Sequence, residues 1–188
     1  LCYTRRKNIA KAKVFSRKDN PTPEILVQRA KMKAVVQLSR SLLPIIRKGF
    51  AGVGNGTTSN AFVARNMKAV TVDEKNVGTI DFDLLQVAAG MLNPPKVTVN
   101  YDEESKKFQF VQEMQEEEDG YAFAGDQVYG VLYETVRERA RLITLRVRGE
   151  GGSTSYALPD EWDNTKVKAY CFATLDNGKM ASDSLLIS

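Results

Sequence analysis

Histidine is absent from all 188 residues. That removes Ser-His and Cys-His nucleophile pairs, imidazole acid–base catalysis, and zinc sites of the HExxH or Cys₂His₂ kind. Cysteine is scarce: Cys2 and Cys171 cannot build a four-thiolate site or a disulfide scaffold, and their distance in sequence reads as two free thiols. No apolar run is long enough to span a bilayer. The first residues do not follow the charged, apolar and cleavage-site order of a signal peptide. The opening on Leu1 fits a chain trimmed from a longer product, which leaves a secreted origin open. No motif calls for a metal or a cofactor, and no residue is assigned a catalytic role.

What is present is charge, unevenly placed. Residues 1–50 hold 13 Lys/Arg against Asp19 and Glu24, and the remainder holds 14 against 21 acids, so a formal +4 divides into +11 and −7. Such a basic start predicts an arm that meets an anionic surface, either an acidic protein or nucleic acid. Aromatic residues within the arm are few (Tyr3, Phe15), which weakens base stacking and leaves nucleic acid the second choice. The densest acidic run, Glu113 with Glu116-Glu117-Glu118-Asp119, lacks the spacing of a calcium loop. It reads first as a solvated inter-strand loop, and second as a contact for the basic arm of a neighbour. Arg137, Arg139, Arg141, Arg146 and Arg148 form a second basic cluster over one hairpin, a pattern common on guarded strand edges.

The chain divides into three parts: an extended basic arm (1–19), a helical module with a short strand segment (20–95), and a β-domain (96–188). Thr22-Pro23-Glu24 is a helix start, with a capping residue, a preset φ and an acid at the positive dipole end. A helix is expected from Pro23 to about Arg40, with Ile25, Met32, Val35, Leu42 and Ile46 as its apolar stripe. Arg29, Lys33 and Arg40 line a basic stripe. Pro44 predicts a kink or restart capped by Ser39 or Ser41. The loop Gly49–Gly56 has no strand before it and no Gly-Lys-Ser/Thr after it, so it reads as a connector and not a phosphate cradle. Thr58 or Ser59 should cap a helix through Val70, and Asp73–Gly78 should be a turn before extended pieces within Thr79–Ala88. Asn93-Pro94-Pro95 marks the boundary.

Beyond Lys96 the period is two. Strands are expected at Val97–Tyr101, Phe108–Gln112, Gln127–Thr135, Leu142–Arg148, Thr154–Leu158, Lys166–Thr174 and Ser182–Ile187, with Asp176-Asn177-Gly178 as a hairpin signal. The fold class is therefore α+β: a basic arm and short helices followed by a seven-stranded immunoglobulin-like antiparallel β-sandwich. Val167–Gly178 with Ser182–Ser184 resembles the last hairpin of a fibronectin type III domain, with Val167 where the tyrosine corner would stand. The strand at 167–174 is apolar on both sides. Tyr170 and Phe172 should therefore be covered by the helices or by another subunit. Trp162 should close one end of the sandwich.

From Asn20 through Met32 the chain resembles an uncharacterised family of proteins of about this length from Bacteroidetes and their phages. The resemblance continues in Ser59-Asn60-Ala61, Asn66–Val70, Ile80-Asp81-Phe82, Gly90-Met91-Leu92, Leu158–Trp162 and Gly178–Ser184. It implies no known activity; its phage context implies a virion component, by analogy. The reading is a non-enzymatic structural or interaction protein, a phage virion or capsid-associated subunit. Its expected partners are copies of itself or capsid proteins, with nucleic acid as an alternative through the basic arm. A cell-surface binding module is the third reading. The partner-binding residues assigned are Arg5, Arg6, Lys7, Lys11, Lys13, Arg17, Lys18, Arg29, Lys33 and Arg40 on the basic side, with Tyr170 and Phe172 on the apolar side.

Overall fold

The computed structural model describes residues 19–116 and 120–188, together with the backbone of 2–4 and 7–9. At the N-terminus, β1 (Cys2–Thr4) and β2 (Lys7–Ile9) pair antiparallel, with Cys2 opposite Ile9. Helix α1 (Pro23–Ser41) begins where the sequence places it, with Thr22 extended at the N-cap and Pro23 in the first turn. The Thr22 side chain does not cap a backbone N–H. It hydrogen-bonds the Glu24 carboxylate instead, which lowers the pKa of that acid. Pro44 forces the expected restart: α1 ends at Ser41 and α2 (Leu43–Gly49) follows through Leu42. Neither serine caps it; the hydroxyls of Ser39 and Ser41 donate back to the carbonyls of Val36 and Leu38. Helix α3 (Thr58–Asn66) is capped one residue earlier than expected, by Thr57, whose hydroxyl accepts the Asn60 N–H at 3.2 Å.

A small hairpin, β3 (Val70–Val72) and β4 (Gly78–Ile80), closes around Asp73, whose carboxylate accepts the N–H groups of Lys75 and Val77. The segment after it is irregular and is held by side chains, not by a ladder.

The β-domain contains β5 (Val97–Asp102), β6 (Lys107–Gln112), β7 (Gln127–Glu134), β8 (Arg139–Val147), β9 (Gly152–Ala157), β10 (Val167–Thr174) and β11 (Leu185–Leu186). They form two antiparallel sheets, β5-β6-β9 and β11-β10-β7-β8. The last expected strand is mostly irregular. Thr174 bridges Ala181 across the Asp176-Asn177-Gly178 turn, and only Leu185 and Leu186 pair with β10. The result is sandwich-like. One core lies between the sheets, where Phe108, Phe110 and Val97 meet Val128, Leu132, Ile143, Leu145 and Trp162. Trp162 sits in that core with the Arg141 guanidinium 5.6 Å from its ring, as expected of a residue closing the sandwich.

The four-stranded sheet is covered on both faces. Val167, Ala169, Cys171 and Ala173 of β10 face the other sheet, and Tyr170 and Phe172 face the helices. In register beside them, Tyr129, Val131 and Tyr133 of β7 join Val35, Leu38, Leu42, Ile45, Ile46, Phe50 and Phe62 in a second core. The expected boundary at Asn93-Pro94-Pro95 is thus a crossing between layers: residues on both sides of it share one core. Helices, central sheet and outer sheet form three stacked layers, with two apolar interfaces between them.

Candidate interaction surface

The assigned binding residues separate on inspection of where each one lies. Arg5, Arg6, Lys11, Lys13, Arg17 and Lys18 fall outside the described residues, and Lys7 is described only as backbone in β2. Tyr170 and Phe172 are corrected: both are fully buried under the helical layer of the same chain and offer nothing to a partner. The Tyr170 hydroxyl donates to the Phe82 carbonyl at 2.7 Å, and burial pushes its pKa up. The both-sided apolar pattern signalled coverage; it could not say that this chain supplies the cover.

Arg29, Lys33 and Arg40 do share an exposed stripe on α1. Their spacing of four and seven residues returns to one side of a helix. The expected apolar stripe is corrected, because it mixed two sides. Val35 and Leu42 are buried together with Ala30 and Leu38, whereas Ile25 is 44% exposed and Met32 54% exposed. Those two lie beside the basic residues, away from the core. The physical reasons differ: Met32 lies on the solvent side of a stretch whose Ala30 and Val35 are buried, whereas Ile25 lies in first turns that no described residue buries. Between Pro23 and Arg29 no residue is buried.

Arg29 donates two hydrogen bonds to the Asp19 carboxylate, at 2.7 and 2.9 Å. This fork-to-fork pairing holds Asp19 below the usual carboxylate range. Both groups are solvent-exposed, so the pair is screened and its role is directional. It holds residue 19 back along the first turns of α1. The face so formed carries Arg29, Lys33 and Arg40 interleaved with Ile25 and Met32. Long cationic side chains beside apolar ones suit a surface that is both acidic and apolar.

The second basic cluster does not form a patch. Arg148 is 1% exposed, as is its partner Asp126. Its Nε donates to Asp126 Oδ2 at 3.2 Å, Nη1 to Gln115 Oε1 at 2.9 Å, and Nη2 to the Asn93 carbonyl at 2.7 Å. Burial raises the pKa of Asp126, opposed by the Phe123 N–H and by Arg148 itself. One Asp126 oxygen, Oδ1, has no hydrogen-bond partner among the described residues. This network ties the layer crossing, the loop after β6 and the entry to β7 at one point. Of the others, Arg137 reaches Glu161 at 3.4 Å and Arg141 lies over Trp162, so the cluster spreads across different neighbours.

Sequence reasoning passed over a groove of about 420 Å³ between the glycine-rich loop and the C-terminal segment. Phe50, Gly52, Arg65, Gly90, Met91 and Asp183 line it, and Arg65 pairs with Asp183 at 2.9 Å. Gly52 explains the loop: its φ is +76°, and a Cβ there would stand 2.5 Å from the Lys179 carbonyl. The loop is packed against residues far along the chain, not a free connector. Several resembling motifs meet beside it. Asn66 accepts the Gln86 N–H at 2.8 Å and donates to the Gln86 carbonyl at 2.9 Å; Ser184 Oγ accepts the Val87 N–H, and Asp183 accepts that of Gly90. These motif residues satisfy backbone groups of an irregular segment, which is a folding task.

Cys171 is buried, and desolvation pushes its thiol up to about 12, so it is not a nucleophile at neutral pH. Among the described residues no three His, Cys, Asp or Glu side chains gather in a way that could hold a metal, and no helix is long and apolar enough to cross a membrane. No protein-family model, curated protein or solved structure matches the chain.

Proposed function

We propose that this chain is a non-enzymatic structural or interaction subunit that docks through residues 1–50 onto an acidic protein surface. The observation that carries the reading is the exposed face of α1, where Arg29, Lys33 and Arg40 alternate with Ile25 and Met32 on the side away from the core. The apolar members favour a protein surface over a phosphate backbone, which would reward cations alone. The setting we propose is a phage virion or capsid-associated particle, on the strength of the motif resemblance between Asn20 and Ser184. For the β-domain we propose an immunoglobulin-like sandwich of the fibronectin type III kind. Its support is the strand order, β5-β6-β9 opposed to β11-β10-β7-β8, with consecutive strands changing sheet between β6 and β7.

The test uses immobilised poly-glutamate as the acidic probe. The full chain is expected to be retained at low salt and released as salt rises. Arg29→Glu, Lys33→Glu and Arg40→Glu together should weaken retention about tenfold or more. The same number of reversals at Lys107, Arg139 and Arg146 should change it far less. Equal loss from the two triple variants would reduce the effect to net charge and overturn the assignment to α1.

A further inference from the structure

We propose that the groove between the glycine-rich loop and the C-terminal segment binds a small amphipathic carboxylate, an aliphatic acid with its head group at Arg65. The site is separate from the docking face of α1 and does not depend on it.

Backbones in contact fix the walls of the groove. A Cβ on Gly52 would stand 2.5 Å from the Lys179 carbonyl, and one on Gly90 would stand 1.9 Å from the Ala181 carbonyl. Only glycine lets these segments close on one another, so the groove is shaped by the fold itself. Phe50 is fully buried beside it, with its ring edge-on to Phe62 at 5.6 Å between centroids. Val53 and Ala89 extend this apolar wall. Met91, 62% exposed, and half-buried Met180 add thioether side chains that adapt to an apolar guest.

One carboxylate sets the head-group end. Asp183 Oδ1 accepts the Gly90 N–H at 3.1 Å, and Oδ2 accepts from Arg65 Nη2 at 2.9 Å. Both oxygens are thus engaged within the protein, and they hold the guanidinium against the groove. The Arg65 side chain is still 43% exposed, and its Nε and Nη1 have no partner among the described residues. Lys179 also lines the groove, exposed and unpaired with any acid among the described residues. Asp183 is the one acid among the described lining residues, so these two cations leave a single positive charge uncompensated.

A carboxylate on an apolar tail answers this arrangement. Its single charge balances the excess, and its two oxygens suit the planar N–H groups of a guanidinium. A neutral apolar molecule would desolvate those N–H groups without giving them an acceptor. A cation would meet like charge, and an acid without a tail would forgo the apolar wall. A largely apolar groove of about 420 Å³ with a few placed polar groups is of a size for a small molecule.

NMR of the full chain with methyl-labelled methionine tests this, with octanoate as the probe. Met91 and Met180 should shift saturably, while exposed Met32 and Met114 should not. Octanol and octylammonium, which keep the tail, should bind about tenfold more weakly, as should acetate, which keeps only the head. Arg65→Gln should weaken octanoate about tenfold. Lys179→Gln should weaken it about threefold, with an unchanged melting temperature. Octanol that binds as well as octanoate would reduce the groove to an apolar slot, and acetate that does so would reduce it to surface charge. Either result overturns the proposal, as does octanoate that leaves Met91 and Met180 unshifted or moves Met32 and Met114 as much. Undiminished binding to a folded Arg65→Gln variant overturns it too. If that variant unfolds, the four probes on wild type decide alone.

Discussion

The two faces of β10 bury the same strand by opposite means. Toward the helices, Tyr170 and Phe172 are large; Phe172 stacks on Tyr129 with ring centroids 5.3 Å apart. Toward the outer sheet, Ala169, Cys171 and Ala173 are small, and the neighbouring Gly130 has no side chain. The reason is what lies opposite. Helices leave gaps between their cylinders that large rings fill. The outer sheet sends Phe110 and Phe108 straight across at the central strands, which leaves room for little else. A Cβ on Gly130 would stand 2.7 Å from the Phe110 ring. One face is thus limited by how much it must fill, and the other by how little it can admit.

That contrast makes the costs of mutation differ in kind. Phe172→Ala should have the largest effect, about 3–5 kcal/mol, because it removes a fully buried ring and leaves a cavity. Urea unfolding measures it, and a loss below about 1 kcal/mol would mean that the helical layer does not seal that face. Gly130→Ala should cost less, about 1–3 kcal/mol, by overpacking. Its signature is rescue: Phe110→Leu in the same chain should recover part of the loss, whereas additive losses would show that the ring is not the obstacle.

The last effect vanishes at neutral pH, grows only in alkali, and lies on the small-residue face. Cys171 has its folded pKa raised from 9.0 to about 12 by burial. A group raised on folding contributes its full stability below the unfolded value and loses it as pH climbs toward the folded one. Stability should therefore fall between about pH 9 and 12, with a slope of up to about 1.4 kcal/mol per pH unit from this thiol. Cys171→Ala should flatten that alkaline slope, apart from a constant offset at neutral pH. An unchanged slope would assign the alkaline loss to other groups, with buried Tyr170 and Tyr133 the next to examine.

Much of the architecture was legible because its signals are local. Pro23 and Glu24 mark the start of α1, Pro44 breaks it, and Asp176-Asn177-Gly178 turns the chain. Alternation located the strands of the β-domain to within a few residues. The candidate surface was half legible. The basic stripe of Arg29, Lys33 and Arg40 follows from helical spacing, but an apolar stripe through Ile25 and Met32 joins two sides of the helix, because period alone does not say which edge of a broad apolar face is covered. Arg148 was misplaced for a related reason. Its neighbours in sequence are solvent-facing hairpin arginines, while its hydrogen-bond partners, Asn93, Gln115 and Asp126, come from other segments.

The sequence by itself determined what each segment could become: the lack of imidazole chemistry, the charge division at residue 50, the helix starts and breaks, and a strand at 167–174 apolar on both sides. Only the tertiary structure decided which surfaces met. It turned Tyr170 and Phe172 from candidate contacts into core, enclosed Arg148, and left Ile25 and Met32 of α1 exposed. Periodicity belongs to one segment and can be read along it. Burial belongs to pairs of surfaces, and the chain reveals those pairs only once it has folded.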